Sequence, residues 1–350
     1  MRAMILAAGF GTRLWPLTID RTKPAIPFMG RPLIGYVAEY LARFGFDEIV
    51  VNLHHQPESV RAALGDGRSF GVRFHYVEES LILGTSGAID NARQLLEGDA
   101  FVVVNGKIAT DINLYEALET HRRMRALATL VLRPNPARER YSTIDIREGL
   151  VKGFGGYPTS DNAGDVNAGD VRGADAGDIH NARDVDVHDS TQPLMFTGIQ
   201  VLDPRIFEYI PRGVFSHIVT DVYVPAIARG ERIAAHVAEG SWYELSTVRR
   251  YLQTSIALMR REGREIEVGD GSLIETGAQV SESVLWENVH VAAGAHVRRA
   301  VLGAGVKVKP GEVLEDVAVV RAELVQGVEP PLKGLRGEVR GSNFVAPIPE

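Results

Sequence analysis

Residues able to do chemistry crowd into Met4–Tyr36, MILAAGFGTRLWPLTIDRTKPAIPFMGRPLIGY. The apolar run Met4-Ile5-Leu6-Ala7-Ala8 reads as a buried parallel strand, and a turn carrying Gly9, Gly11, Thr12 and Arg13 follows it. Lys23-Pro24 lies one loop further on. Glycines just after a parallel strand leave backbone N–H groups uncovered, so phosphate oxygens approach closely. Arg13 and Lys23 add positive charge where a triphosphate would lie. The strand end (Leu6, Ala8), Gly9, Gly11, Thr12, Arg13 and Lys23 are therefore the candidate nucleotide contacts. Two commoner phosphate motifs are excluded. The third glycine of G-x-G-x-x-G is replaced by Leu14, and the P-loop G-K-[ST] is absent.

The elements that must hold this turn alternate in kind. Pro32–Phe44 has apolar residues at helical spacing and ends at Gly45; Glu48–Asn52 reads as a strand and Pro57–Leu64 as a short helix. Val72–Val77, Ala100–Asn105 and Ala128–Leu132 read as strands, with helices from near Gly87 to Leu96 and over Tyr115–Arg125. This alternation predicts an α/β fold, a Rossmann-like mixed or parallel sheet whose ligands bind beyond the carboxyl ends of the strands. Gly9–Arg13, the Gly84 loop and Asn105–Asp111 all follow strands and can converge on one cleft. Further on, Pro193–Leu202 and Arg232–Val237 read as strands, with helices near Ile206–Tyr209 and over Val222–Arg229. Ser246–Arg261 is a helix capped by Ser246 or Thr247.

Two regions break the alternation. Residues 155–192 repeat Ala-Gly-Asp with almost no large apolar groups, a composition expected of a disordered surface insertion. Its aspartates, with His180 and His188, fit no regular ligand spacing. In the C-terminal part, Ile274, Val291 and Val308 are 17 apart, as are Gly277, Gly294 and Gly311, and Val280, Val297 and Leu314. Three registers sharing one period predict stacked coils of a short left-handed parallel β-helix. The expected domains are an α/β unit over 1–262, the β-helix over 263–325 and an extended tail over 326–350.

Composition narrows the function. Among 350 residues there is no cysteine, which excludes thiolate catalysis, disulfides and cysteine-based zinc sites. A net charge of −7 without a basic run argues against nucleic acid. No apolar run is long enough to span a bilayer and the chain enters a strand at once, so a cytoplasmic location without membrane contact is expected. His54-His55 looks metal-like, but neighbours on an extended segment point to opposite faces. Arg122-Arg123 reads as a solvated helix face.

The whole string G-x-G-T-R-L-x-P-L-T followed by K-P resembles the signature of the sugar-phosphate nucleotidyltransferases, the nucleotide-sugar pyrophosphorylases, with mannose-1-phosphate guanylyltransferase-like members nearest in flavour. The resemblance implies a reaction joining a nucleoside triphosphate to a sugar 1-phosphate with release of pyrophosphate. Catalysis would then rest on positioning and charge neutralisation, with Arg13 stabilising the leaving pyrophosphate and Lys23 at the α-phosphate. Leu83–Ile89 (LGTSGAI) resembles the family's L-G-T-A-G-A-L motif, placing Gly84, Thr85, Ser86 and Gly87 at the nucleoside; read alone, it is equally a helix start capped by Thr85 or Ser86.

The resemblance also implies Mg2+, and here the chain departs from the pattern. The strand that ends N-G-D in the family ends Asn105-Gly106-Lys107, and an ammonium cannot coordinate a metal. The later W-x-D-I-G-T is Trp242-Tyr243-Glu244-Leu245-Ser246-Thr247, so Glu244 stands where an aspartate ligand is implied, with Asp111 as a weaker second ligand or a helix cap. The sugar-phosphate side is implied at Asn105, Gly106, Lys107, Tyr141, Thr197 and Gly198. No counterpart of the family's E-K-P follows Phe154.

Three readings remain open: an active nucleotidyltransferase making an NDP-sugar, with GTP and mannose 1-phosphate favoured; a catalytically impaired relative that binds nucleotide and regulates an active partner; and, weakest, an acyltransferase on the β-helix using His290 or His296. A homo-oligomer through the β-helix is expected.

Overall fold

A computed structural model of the chain describes residues 1–135, 143–155 and 193–349. The Asp-rich insertion, except Gly155, and Tyr141 lie outside the described residues.

The first unit runs β1 (Arg2–Leu6), a small ribbon of β2 (Pro27–Phe28) and β3 (Arg31–Pro32), α1 (Leu33–Arg43), β4 (Glu48–Leu53), α2 (Pro57–Leu64) and β5 (Arg73–Glu78). It continues with α3 (Gly84–Asn91), α4 (Arg93–Leu96), β6 (Phe101–Asn105), β7 (Ile108–Thr110), α5 (Leu114–Met124) and β8 (Ala128–Pro134). A hairpin of β9 (Ile144–Arg147) and β10 (Leu150–Phe154) precedes β11 (Leu194–Leu202), α6 (Val224–Ala228), β12 (Ile233–Val237), β13 (Trp242–Glu244) and α7 (Val248–Arg261).

Nine strands form one mixed sheet in the order β5-β4-β1-β6-β11-β8-β12-β10-β9. The strands β5, β4, β1 and β6 are parallel, and β11 enters antiparallel between β6 and β8. The central strands are apolar on both faces, as Ala3-Met4-Ile5 and Val102-Val103-Val104 illustrate, because helices cover both sides. In α1 the buried residues Leu33, Ile34, Val37, Ala38 and Leu41 fall on one face, and the helix stops before Gly45 at φ +79°. Helix α7 starts at Thr247, whose side chain accepts the N–H of Arg250 at 3.2 Å.

Differences from the expected elements are local. The helix predicted from near Gly87 starts at Gly84 and breaks at Ala92. The stretch before α6 is a π-helix over Ile218–Tyr223, and Pro204–Glu208 is a 3-10 turn. The β7/β13 ribbon is too short for periodicity to reveal.

The C-terminal unit stacks coils with the 17-residue period. Ile274, Val291 and Val308 are successive register partners, as are Val280, Val297 and Leu314. Gly277, Gly294 and Gly311 all take positive φ at the same corner. This is the expected left-handed β-helix repeat. Within the tail, Asn343–Pro347 pairs antiparallel with Val317–Arg321, and Glu338–Arg340 pairs with it in turn. Backbone hydrogen bonding thereby closes the open edge of the last coil. The tail also reaches the first unit, since Phe344 packs edge-on against Trp15 and the Leu335 N–H donates to the Trp15 carbonyl.

Candidate active site

The glycine turn leaves β1 at its carboxyl end. Gly11 is left-handed (φ +67°), and a Cβ there would stand 3.1 Å from Cβ of Lys23 and 3.3 Å from the Thr18 methyl. The Thr18 hydroxyl donates to the Gly11 carbonyl at 3.2 Å. These contacts fold Thr12–Leu14 and Lys23 onto one another, so Arg13 and Lys23 come from loops packed together. Arg13 is half-buried and has no hydrogen-bond or ion-pair partner among the described residues.

Beside β1, β6 ends in Asn105-Gly106-Lys107. Leu6 is in register with Asn105, and the Gly106 N–H donates to the Leu6 carbonyl at 2.9 Å. On the other side of β6, β11 changes register between Phe196 and Gln200, and Gly198 (φ +80°) sits under the Asn105 amide. Thr197 is buried; its hydroxyl donates to the Val131 carbonyl at 2.7 Å, and its own carbonyl accepts from Trp242 Nε1 at 3.0 Å. Asn105, Gly106, Thr197 and Gly198 are thus brought together next to the turn at Gly9.

Lys107 and Glu244 meet directly. The β7/β13 pairing puts Glu244 opposite Ile108, the Leu245 N–H donates to the Lys107 carbonyl at 2.8 Å, and Lys107 Nζ lies 2.6 Å from Glu244 Oε1. The other oxygen, Oε2, accepts from the Ser246 hydroxyl at 3.0 Å and from Arg250 at 3.2 Å. Both oxygens of Glu244 are committed to cations or donors. Asp111 is engaged elsewhere: its carboxylate accepts from the N–H and hydroxyl of Ser241. It does not cap α5 either, since the Asn113 side chain accepts the Tyr115 N–H there.

Sugar nucleotidyltransferases generally use a divalent metal. The residues at the implied positions do not fit one. A carboxylate clamped between an ammonium and a guanidinium offers a cation no net negative site. No cluster of three metal-ligating side chains occurs among the described residues.

The second glycine motif opens α3 but spends its side chains internally. Thr85 Oγ1 accepts the Ile218 N–H at 2.8 Å, Ser86 donates to the Ser216 hydroxyl at 2.8 Å, and the Ser86 N–H binds the Ser216 carbonyl. A Cβ at Gly84 would fall 2.4 Å from the Ser216 carbonyl oxygen, and one at Gly87 2.5 Å from that of Val214. These glycines let segment 214–218 approach the helix start. Neither hydroxyl caps α3.

Several groups escaped the sequence reading. Arg250 is a first-turn residue of α7 that reaches back to Glu244, and the Thr247 cap helps to fix that turn. Phe10, half-exposed inside the glycine turn, packs against the rings of both His54 and His55 at 5.6 Å. Arg122 and Arg123 are exposed on α5, as expected.

The nucleotidyl transferase family model matches residues 2–261. The chain belongs to the nucleotidyl transferase family. A GlmU-like C-terminal hexapeptide model matches residues 261–325, over the stacked coils. Relatives within this family include an N-acetylmuramate alpha-1-phosphate uridylyltransferase of Neisseria meningitidis, 31% identical over 71% of this chain and 95% of the relative. A UTP–glucose-1-phosphate uridylyltransferase of Synechocystis is 27% identical over 85% and 74%, and a mannose-1-phosphate guanylyltransferase of Mycobacterium tuberculosis 26% identical over 89% and 82%. The crystal structure of HddC from Yersinia pseudotuberculosis complexed with GMP-PN superposes with a TM-score of 0.57 at 20% identity, covering 73% of this chain and 99% of that one, and shows the shared fold.

Proposed function

We propose that this nucleotidyl transferase family member joins a nucleoside triphosphate to a sugar 1-phosphate, with GTP and mannose 1-phosphate as the favoured pair. The observation that carries the reading is the meeting of the Gly9–Arg13 turn and Lys23 with Asn105–Lys107 and Gly198 at adjacent strand ends. A sugar-phosphate oxygen attacks the α-phosphorus, one P–O bond forms, and the bond to the departing pyrophosphate breaks. No side-chain nucleophile is required, so the protein's task is alignment and charge. Backbone N–H groups of Gly9–Thr12 and the Arg13 guanidinium hold the β- and γ-phosphates, and Lys23 faces the α-phosphate. Lys107, held by Glu244, stands at the end of β6 on the side assigned to the sugar phosphate. The helix start at Gly84 borders the nucleoside while its Thr85 and Ser86 side chains and the Ser86 and Gly87 N–H groups hold segment 214–218, and Tyr141 joins the sugar side.

The Lys107–Glu244–Arg250 cluster favours a second reading, a relative that binds nucleotide and regulates an active partner. Pyrophosphate release discriminates. The chain is incubated with each nucleoside triphosphate and a panel of hexose 1-phosphates, with magnesium and with chelator. Turnover with one pair supports the enzyme. Silence, with nucleotide still bound and activity gained in Lys107→Asp, supports the regulator. A cytoplasmic location accords with the absence, among the described residues, of a helix able to cross a membrane. Self-association through the β-helix is part of the same proposal, and sedimentation velocity tests it.

A further inference from the structure

The carboxyl ends of β1, β4 and β5 are tied together by a buried polar relay outside the residues assigned to substrate. Its centre is Glu79, only 5% exposed, next to Asn52 at 3%. The Ala7 N–H donates to Asn52 Oδ1 at 2.8 Å, Asn52 Nδ2 donates to Glu79 Oε1 at 2.7 Å, and the Leu83 N–H donates to Glu79 Oε2 at 2.9 Å. His54 Nδ1 meets the Glu79 carbonyl at 2.8 Å, and the Glu79 N–H donates to Leu53. One end of the relay is thus two residues before Gly9, and the other directly precedes Gly84.

The relay has a direction. Backbone donors stand at both ends, so the side chains between them must supply acceptors at Ala7 and at Leu83. An asparagine followed by a carboxylate does this with every link satisfied. Burial pushes the Glu79 carboxyl up, against the pull of the Asn52 and Leu83 hydrogen bonds. A desolvated carboxylate is a costly way to fill core space, since an apolar side chain would fill it without that penalty. What the carboxylate adds is geometry: two acceptor oxygens rigidly joined, one toward each loop.

We propose that Glu79 is a positioning residue that, through Asn52, fixes the glycine turn after β1 relative to the Gly84 helix start. The proposal deepens the nucleotide-side reading above and rests on it for its functional meaning, while the mechanical coupling is testable without nucleotide. Glu79→Gln keeps the volume but offers one acceptor and one donor, so whichever way the amides turn, one donor faces another. Asn52→Asp alone sets two carboxylates against each other. The double variant Asn52→Asp/Glu79→Gln restores every pairing, with the charge moved one residue along the relay.

The experiment is amide hydrogen exchange on the full chain, native and three variants. Each single variant is expected to lose about tenfold protection in both Ala7–Leu14 and Leu83–Ile89, with Val102–Val104 unchanged, and the double variant to regain it. Loss confined to residues 79–83, or a double variant no better than the singles, overturns the proposal. Nucleotide affinity of the same four proteins is read alongside. If the native chain binds no nucleoside triphosphate, the functional reading fails, and the exchange result still decides the coupling. If it binds, affinity is expected to fall about tenfold in Glu79→Gln and to return in the double variant.

Discussion

Lys107 Nζ lies 2.6 Å from Oε1 of Glu244, with Arg250 on the opposite oxygen of the same carboxylate. An ion pair therefore stands where the family pattern implies a metal bridging two acids. Lys107→Met removes one partner from a carboxylate only 10% exposed, and we expect a loss of about 2 kcal/mol, read by urea unfolding. Lys107→Asp should cost more in the absence of metal, because two carboxylates then share the site. Magnesium should raise the melting temperature of Lys107→Asp and leave that of the native chain unmoved. A magnesium shift in the native protein would show that its donors are available after all.

Gly198 is constrained twice. Its φ is +80°, and a Cβ would stand 2.2 Å from Nδ2 of Asn105. Gly230 has a similar φ of +84° with nothing within 4 Å of a Cβ. Gly230→Ala is expected to cost about 1 kcal/mol for the left-handed backbone alone. Gly198→Ala should cost about 2 kcal/mol or more and lower kcat/KM by displacing Asn105. Equal destabilisation of the two would remove the steric argument.

Arg13 is half-buried and has no hydrogen-bond or ion-pair partner among the described residues, so its charge is available to a ligand. Arg13→Ala should leave the unfolding midpoint within experimental scatter while reducing kcat/KM for the nucleotide about a hundredfold. The rate is measured by pyrophosphate release and the stability by thermal denaturation on the same preparation. A large stability loss with intact kinetics would reassign Arg13 to structure.

Much of this fold is legible in the chain because its signals are local. The apolar runs of β1 and β6 and the 17-residue register identify their elements through burial and stacking. The Gly84–Gly87 motif shows where locality ends. Its glycines and hydroxyls read as ligand contacts until segment 214–218, some 130 residues away, is seen to occupy them. Glu79 escaped for the same reason: a buried carboxylate has no sequence signature when one partner comes from β4 and the other precedes α3. The Lys107 substitution was visible, but its pairing with Glu244 depends on the β7/β13 ribbon, which is too short for any period to disclose.

Two histidines behind the sheet give the fold an acid limit. His121 on α5 is buried with Nδ1 3.0 Å from the Thr129 hydroxyl, and His236 on β12 has Nδ1 3.1 Å from the Thr120 hydroxyl. Burial lowers the pKa of both. A histidine whose folded value is depressed takes up its proton more readily when unfolded. Its stabilising contribution is therefore present above the unfolded value of about 6.5 and is lost as pH falls through the folded value. The melting temperature should hold level from pH 8 to about 7 and decline steadily below about 6.5. In His121→Asn/His236→Asn the amides keep a group able to bond to each threonine but do not titrate, so the decline between pH 6.5 and 5 should flatten. Parallel curves for the native and doubly substituted chains would place the acid sensitivity elsewhere.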